Sequence, residues 1–301
     1  MGSKQLGLHV LEKIQALSPD TLTGVLTIDD TGDTRSVLED IRAFASRHDL
    51  PLHVAGDRHE SERIIRIIAP DLCMVVGWYW LISPDTLESV PSGFIGIHNS
   101  LLPKYRGGSP LVWAMINGDP EAGFSLFTLG EGMDSGGIWA QDSVGIEAND
   151  TIAEVLDKLE AKTLGVIEDK YLPILRGEIS PVDQDHSAAT YCAQRSPGDG
   201  NIDWAGPATV VHNFIRAQSA PYPGAFTYAG GRLLKIWRTE VPDRPCHGSP
   251  GEVVRMEGGG VCVICGDRRA LVLRDVELDG RRGKAEDLLP PGDCIFSREP
   301  G

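Results

Sequence analysis

The sequence predicts an α/β protein in two parts: a mostly parallel sheet with helices on both faces, then a small β-barrel. Three observations lead there. Over residues 1–180, short apolar runs alternate with stretches of helical spacing, the pattern of strand–helix–strand units. Residues 181–201 break that alternation with a polar stretch holding Pro181, Pro197, Gly198 and Gly200, which reads as a linker. Beyond it lie short strand patterns divided by glycines and prolines, as in small closed sheets. The expected boundaries are a first domain over 1–182, a linker over 183–203 and a second domain over 204–301.

Taken in order, residues 3–17 place Leu6, Val10, Leu11, Ile14 and Leu17 at helical spacing. Residues 23–28 read as a strand, and 35–48 as a helix with Val37, Leu38, Ile41 and Phe44 on one face. A short strand at 52–54, a helix at 61–68 and a buried strand at 71–77 follow. Then come a strand at 94–98, a helix at 110–117, strands at 124–129 and 138–144, and a long helix at 151–175. The second part has a helix at 207–218 and strands at 225–228, 233–241, 251–256, 260–265 and 270–278. One feature departs from the pattern. The chain opens on a helix, whereas a doubly wound sheet places a central strand first, and Met1-Gly2 cannot supply one. Three readings stand open: the true start lies upstream, Met1-Gly2 is left over from added residues, or the fold manages without that strand.

Composition sets further bounds. With 41% hydrophobic and 24% charged residues the chain reads as a soluble globular protein. No apolar run approaches the ~18 residues of a membrane span, and no basic stretch leads into an apolar core at the start. The expectation is a cytoplasmic protein with no membrane partner. Cys73, Cys192, Cys246, Cys262, Cys265 and Cys294 are scattered through the chain and read as free thiols in a reducing compartment. Cys262 and Cys265 form a CxxC, but on a strand residues three apart face opposite sides, so no metal is expected. The net charge of -15 is concentrated: residues 1–204 hold 15 basic and 31 acidic side chains, residues 205–301 hold 13 and 12. The first part offers no basic run for a phosphate backbone.

The candidate chemistry lies in two loops. A strand ends at His98 and a turn-rich loop runs to Gly108; in open parallel sheets ligands sit beyond the carboxyl ends of strands. There a histidine can move a proton near neutral pH, or simply cap the strand. The second loop follows the strand at 124–129 and carries Gly130, Gly132, Asp134, Ser135, Gly136 and Gly137. Asp134 would orient His98 and raise its basicity, or serve a glycine-rich turn. Trp78, Tyr79 and Trp80 follow a third strand and can flank an aromatic ligand or cover the core. Lys104 and Arg106 can attract carboxylates or phosphate, or be solvated.

The run from His98 through Asn99, Ser100, Leu101, Leu102, Pro103, Lys104, Tyr105 and Arg106 to Gly107, with Asp134 of Met133-Asp134-Ser135-Gly136 36 positions after His98, resembles the 10-formyltetrahydrofolate-dependent formyltransferases. Residues 195–204 resemble that family's linker signature, and 212–217 and 221–226 the start of its C-terminal domain. The resemblance covers nearly the whole chain. It implies a Rossmann-like formyl-transfer domain, an OB-like second domain, 10-formyltetrahydrofolate as co-substrate and a primary amine as acceptor. It implies His98 and Asp134 as catalytic residues. It places the pterin near residues 77–83 and 130–136, so that Trp78, Tyr79, Trp80, Gly130, Gly132 and Ser135 become cofactor-binding candidates.

The family's Asn-x-His asparagine is replaced here by Gly96. Amine attack on a formyl carbon builds charge on oxygen, and a donor aimed at it contributes about 10²–10³ in rate. Asn99 is the substitute candidate if the chain turns after His98. The charge pattern favours a small acceptor amine, such as an amino sugar nucleotide, and weighs against tRNA. Methionyl-tRNA formyltransferase and a non-catalytic folate-binding relative are the alternatives, and a homodimer is among the possible assemblies.

Overall fold

The computed structural model describes residues 1–242, 245–256, 260–289 and 295–300; Cys294 lies outside them. In chain order the elements are α1 (Lys4–Leu17), β1 (Val25–Ile28), α2 (Leu38–Arg47), β2 (Leu52–Ala55), α3 (Arg58–Ile68), β3 (Cys73–Val75), α4 (Pro84–Glu88), β4 (Phe94–His98), β5 (Arg106–Gly107), α5 (Pro110–Ile116), β6 (Glu121–Thr128), β7 (Ile138–Gly145), α6 (Ile152–Leu175), β8 (Tyr191–Cys192), α7 (Ala208–Arg216), β9 (Ala225–Ala229), β10 (Arg232–Glu240), β11 (Val253–Arg255), β12 (Val261–Ile264), β13 (Ala270–Leu278), β14 (Arg281–Gly283), α8 (Ala285–Leu288) and β15 (Phe296–Ser297). The chain forms two compact units. One comprises Met1–Pro110, Gly123–Val144 and Asp157–Cys192; the other comprises Leu111–Ala122, Gly145–Leu156 and Ala193–Gly301.

In the first unit β1 pairs with β2 and β3 with β4, both in parallel. β4 then pairs antiparallel with β6, and β7 is the outer neighbour of β6. β1, β3, β4 and β6 are buried on both faces over most of their length, as their apolar runs dictate, while β2 and β7 are half-buried for the most part. Cys73, Val75 and Phe94 face a cluster with Ile64 and Ile65 of α3. Their strand neighbours Met74, Val76 and Ile95 face the opposite cluster, with Val10 and Ile14 of α1 and Ile167 and Tyr171 of α6. Period-two side-chain direction produces this division. Asp57 starts α3 by accepting from Glu60 N at 2.8 Å, and Ala69 ends it in the left-handed region at φ 45°.

The second unit is an antiparallel β-barrel ordered β11-β12-β13-β10-β9-β15, with β14 beside β13. An antiparallel bridge between Glu252 and Ile295 links its two ends. Its core joins Ile215 of α7 to Leu234, Ile236, Val263, Leu271 and Leu273. Cys265 sits in this core, while Cys262 packs with Cys246, Ala270 and Val272. The two cysteines thus face opposite sides. Burial pushes the Cys262 thiol up and the Cys265 thiol up to about 12, so both stay protonated and inert.

His212 is buried in this unit. Its Nε2 donates to Ala148 O at 3.0 Å, and in the neutral ring its Nδ1 accepts from Thr239 Oγ1 at 2.8 Å. Burial lowers its pKa below the ordinary histidine value of 6.5. As pH falls through that value the unfolded chain gains a proton that the folded chain does not, so stability falls with pH. Thermal midpoints measured from pH 8 to 5 should decline in this window and decline less in His212→Gln. An unchanged slope in the variant would contradict the assignment.

Candidate active site

His98 closes β4, 9% exposed, with the Phe127 ring edge-on at 6.2 Å between centroids. Its Nε2 donates to Tyr105 O at 2.7 Å. A carbonyl only accepts, so the neutral ring carries its lone pair on Nδ1. That atom faces Asp134 Oδ2 at 3.7 Å. The same carboxylate oxygen accepts from Gly107 N at 2.8 Å. The segment 105–107 therefore grips both residues, one through a carbonyl and the other through an N–H.

Asp134 follows β6, as the sequence indicates, and reaches His98 by a fold-back of the chain. β6 runs antiparallel to β4, with Ile95 opposite Thr128 and His98 opposite Ser125. The carboxyl end of β6 thus lies beside the start of β4, not beside His98. Residues 129–137 fold back to bring Asp134 to the histidine. Asp134 itself adopts φ 46°, a left-handed conformation costly for a side-chain-bearing residue. Gln184 holds it there, donating through Nε2 to Asp134 O at 2.9 Å and to Gly136 O at 2.7 Å.

Gln184 is in turn fixed by Arg106, which donates to its Oε1 from Nη2 at 2.6 Å and from Nε at 3.2 Å. Arg106 is only 3% exposed and also meets His186 Nδ1 at 2.9 Å and Tyr191 OH at 3.4 Å. Neither reading open from the sequence, anion attraction or solvation, describes Arg106: its guanidinium is buried and engaged with the chain itself. Lys104 is exposed, its ammonium 4.7 Å from the Tyr105 ring centroid. Gln184 and His186 were missed because they lie in the stretch read as linker. That stretch also places β8 parallel to β5, with Arg106 opposite Tyr191. Its polarity hid the role, since a buried polar residue is recognisable only with its partner.

Gly96 shares the face of β4 with His98. A Cβ built on it would lie 2.4 Å from Leu129 Cδ1 and 3.3 Å from Phe127 Cε1. Leu129 thus fills the space beside Gly96, and the nearest atoms there, from Leu129 and Phe127, include no side-chain donor among the described residues. The chain does turn after His98, with Ser100 N donating to His98 O at 2.8 Å. Asn99 is half-buried in that turn, and its side chain makes no hydrogen bond among the described residues.

The aromatic trio divides. Trp78 and Trp80 stack edge-to-face at 5.4 Å and pack on the cluster beneath β3. Trp78 Nε1 is buried without a hydrogen-bond partner among the described residues. Tyr79 is 54% exposed, with Lys4 Nζ 5.4 Å from its ring centroid. In the second loop Gly130 is open and exposed. A Cβ on Gly132 would lie 2.3 Å from Ser135 Oγ, and one on Gly136 1.9 Å from Thr128 O.

Residues 31–167 match the formyl transferase family and residues 195–289 the formyl transferase C-terminal domain. The chain is 30% identical to methionyl-tRNA formyltransferase of Geobacter sulfurreducens, over 100% of this chain and 94% of that one. The chain belongs to the formyl transferase family. A second relative, methionyl-tRNA formyltransferase of Synechococcus sp., is 33% identical over 97% of the chain and 94% of its own length. Among solved structures, the sugar 3N-formyl transferase WlaRD, crystallised with dTDP and 5-N-formyl-THF, superposes with TM-score 0.69. It is 17% identical and covers 90% of this chain and 94% of its own. That likeness supports the formyl transferase fold, an α/β domain followed by an antiparallel barrel. Among the described residues, no helix of this formyl transferase is long and apolar enough to cross a membrane.

Proposed function

We propose that this formyl transferase moves a formyl group from 10-formyltetrahydrofolate to a primary amine, with His98 as general base and Asp134 as the partner of its imidazolium. One observation carries the reading. Nε2 of His98 is committed to Tyr105 O, so the proton-accepting Nδ1 is the atom that faces Asp134. A proton taken from the amine at Nδ1 turns that facing pair into an ion pair, which lowers the energy of the protonated state. The donor supplies an electrophilic formyl carbon. Tyr79 and the exposed backbone at Gly130 and Gly132 offer an accessible surface for a pterin ring, with Ser135 close against Gly132. The unpaired N–H of Trp78 offers a donor, and Trp80 backs it. Because Leu129 occupies the space beside Gly96, charge on the formyl oxygen falls to backbone N–H groups and to the positive charge His98 gains on taking the amine proton, with Asn99 as the nearest side-chain amide in sequence.

For the acceptor, the two relatives at 30% and 33% identity over nearly the full length support methionyl-tRNA. They move the reading away from the small amine that charge alone favoured. Charge still favours an amino sugar nucleotide as a second reading: residues 1–204 carry a large acidic excess. In the loop after β1, Asp30 and Asp33 pair with Lys4 at 2.5 and 3.0 Å, and Asp33 also pairs with Arg35 at 2.7 Å, so both of these cations are engaged by the chain itself. Release of tetrahydrofolate should be measured against methionyl-tRNA, amino sugar nucleotides and free amino acids at two salt concentrations. Turnover with methionyl-tRNA that falls steeply with salt supports the first reading. Salt-insensitive turnover with an amino sugar nucleotide alone supports the second. No release with any amine would sink both.

A further inference from the structure

Two residues of the site hold a backbone conformation that favours glycine. Asp134 has φ 46° and Tyr105 has φ 58°. Such residues persist only where the surrounding structure over-determines them. Each serves the pair described above: Asp134 supplies the carboxylate, and Tyr105 O accepts from His98 Nε2. Each is also held by one stretch of chain, residues 184–192. Thr190 Oγ1 accepts from Tyr105 N at 2.8 Å, and Thr190 O accepts from Arg106 N at 2.8 Å. Gln184 Nε2 donates to the carbonyls of Asp134 and Gly136.

Gln184 can face only one way. Both N–H groups of its carboxamide go to the two carbonyls that flank Ser135, and its Oε1 accepts twice from Arg106. The other partners of the Arg106 guanidinium, His186 and Tyr191, belong to the same stretch of chain. None of these three partners is a carboxylate, and a buried cation held by uncharged groups adds little stability for its cost in desolvation.

The bonds close a ring around the pair. It runs from His98 to Tyr105 O, through Arg106 to Gln184, on to Asp134 O, and back from Asp134 Oδ2 to Gly107 N. At 3.7 Å His98 Nδ1 and Asp134 Oδ2 lie beyond a hydrogen bond. Their spacing is therefore set by this frame and not by a bond between them.

We infer that, given the catalytic roles proposed above for His98 and Asp134, Gln184 is a positioning residue for formyl transfer. Its two N–H bonds hold Asp134 in the left-handed turn that aims the carboxylate at His98 Nδ1, and Arg106 fixes the direction of the amide. Gln184 acts through the backbone of Asp134.

Gln184→Glu tests this, because the variant keeps an acceptor for Arg106 and turns a carboxylate oxygen toward two carbonyls, which repel it. For tetrahydrofolate release kcat should fall by about 10–10²-fold, while KM for either substrate stays near its wild-type value. Exchange of the Gly107 amide, which donates to Asp134 Oδ2, should quicken about tenfold or more, with the amides of β4 unchanged. In an Asp134→Asn background Gln184→Glu should cost no further activity, because the charge it places is gone. Wild-type kcat, unchanged Gly107 exchange, or losses that multiply in the double variant would each overturn the inference. Gln184→Met, which removes the donors without adding charge, is measured in the same way if the glutamate variant fails to fold. If neither folds, Gln184 serves the fold and the inference falls. His98→Ala, assayed alongside, separates the two claims. If it turns over like wild type, the catalytic roles fail, and Gly107 exchange still reports whether Gln184 places Asp134. If it is slow while Gln184→Glu is fast, the positioning role alone fails.

Discussion

Replacing His98 with alanine should lower kcat by about 10²–10⁴-fold, the range for removal of a positioned acid–base group. The loss follows from its fixed geometry. Nε2 is committed to Tyr105 O, so no other atom of the ring can serve as the base. Alanine also leaves Tyr105 O without that donor, so a modest drop in thermal midpoint accompanies the kinetic loss. Asp134→Asn separates the two effects. The asparagine oxygen can still accept from Gly107 N, which donates to Asp134 Oδ2 at 2.8 Å, so the loop should keep its place. What disappears is the charge facing Nδ1 at 3.7 Å, and kcat should fall by at least about 10²-fold with little change in midpoint. Steady-state release of tetrahydrofolate and a melting curve on each variant check this. Near wild-type turnover in either one contradicts the assignment.

Gly136→Ala should be the most damaging substitution of a single hydrogen by methyl in the site loop. The added Cβ would lie 1.9 Å from Thr128 O, a backbone atom that cannot rotate away. Thr128 is held in place as well, because its N–H donates to Gly137 O at 2.9 Å and ties the approach to β7 to the end of β6. The strands must part or the loop must shift, and that shift also carries Gly136 O from Gln184 Nε2. A destabilisation of about 2–5 kcal/mol is expected, together with loss of activity in whatever fraction stays folded. Gly130→Ala is the control, since no atom lies within 4 Å of its added Cβ. Equal midpoints for the two variants would show that the close approach at Gly136 is not structural. The Met-Asp-Ser-Gly signature thus has a steric reason for its glycine beside the chemical reason for its aspartate.

Much of this was legible in the sequence because periodicity reports burial directly. α1, β4, α6 and β13 fall within one or two residues of their expected spans, and the motif residues His98 and Asp134 do meet. Strand direction was not legible. Nothing in the apolar run of β6 reveals that it is antiparallel, so the path by which Asp134 reaches His98 was not legible. Short elements escaped for a related reason. β5 and β8 are two residues each and exist only through their pairing. Arg106 and Gln184 looked like solvated polar residues because each is buried against the other, 78 positions away. The replacement of the family asparagine was visible at Gly96, but that Leu129 fills the space was not, since that depends on two strands lying side by side.

The central claim is that His98 and Asp134 act as one catalytic unit. A double-mutant cycle on tetrahydrofolate release, with the acceptor that turns over fastest, tests it most directly. Residues that act together are non-additive. The account predicts that His98→Ala with Asp134→Asn is no slower than His98→Ala alone, because the charge of Asp134 matters only through the imidazole it faces. Losses that multiply, leaving the double variant slower by the product of the single effects, would contradict it.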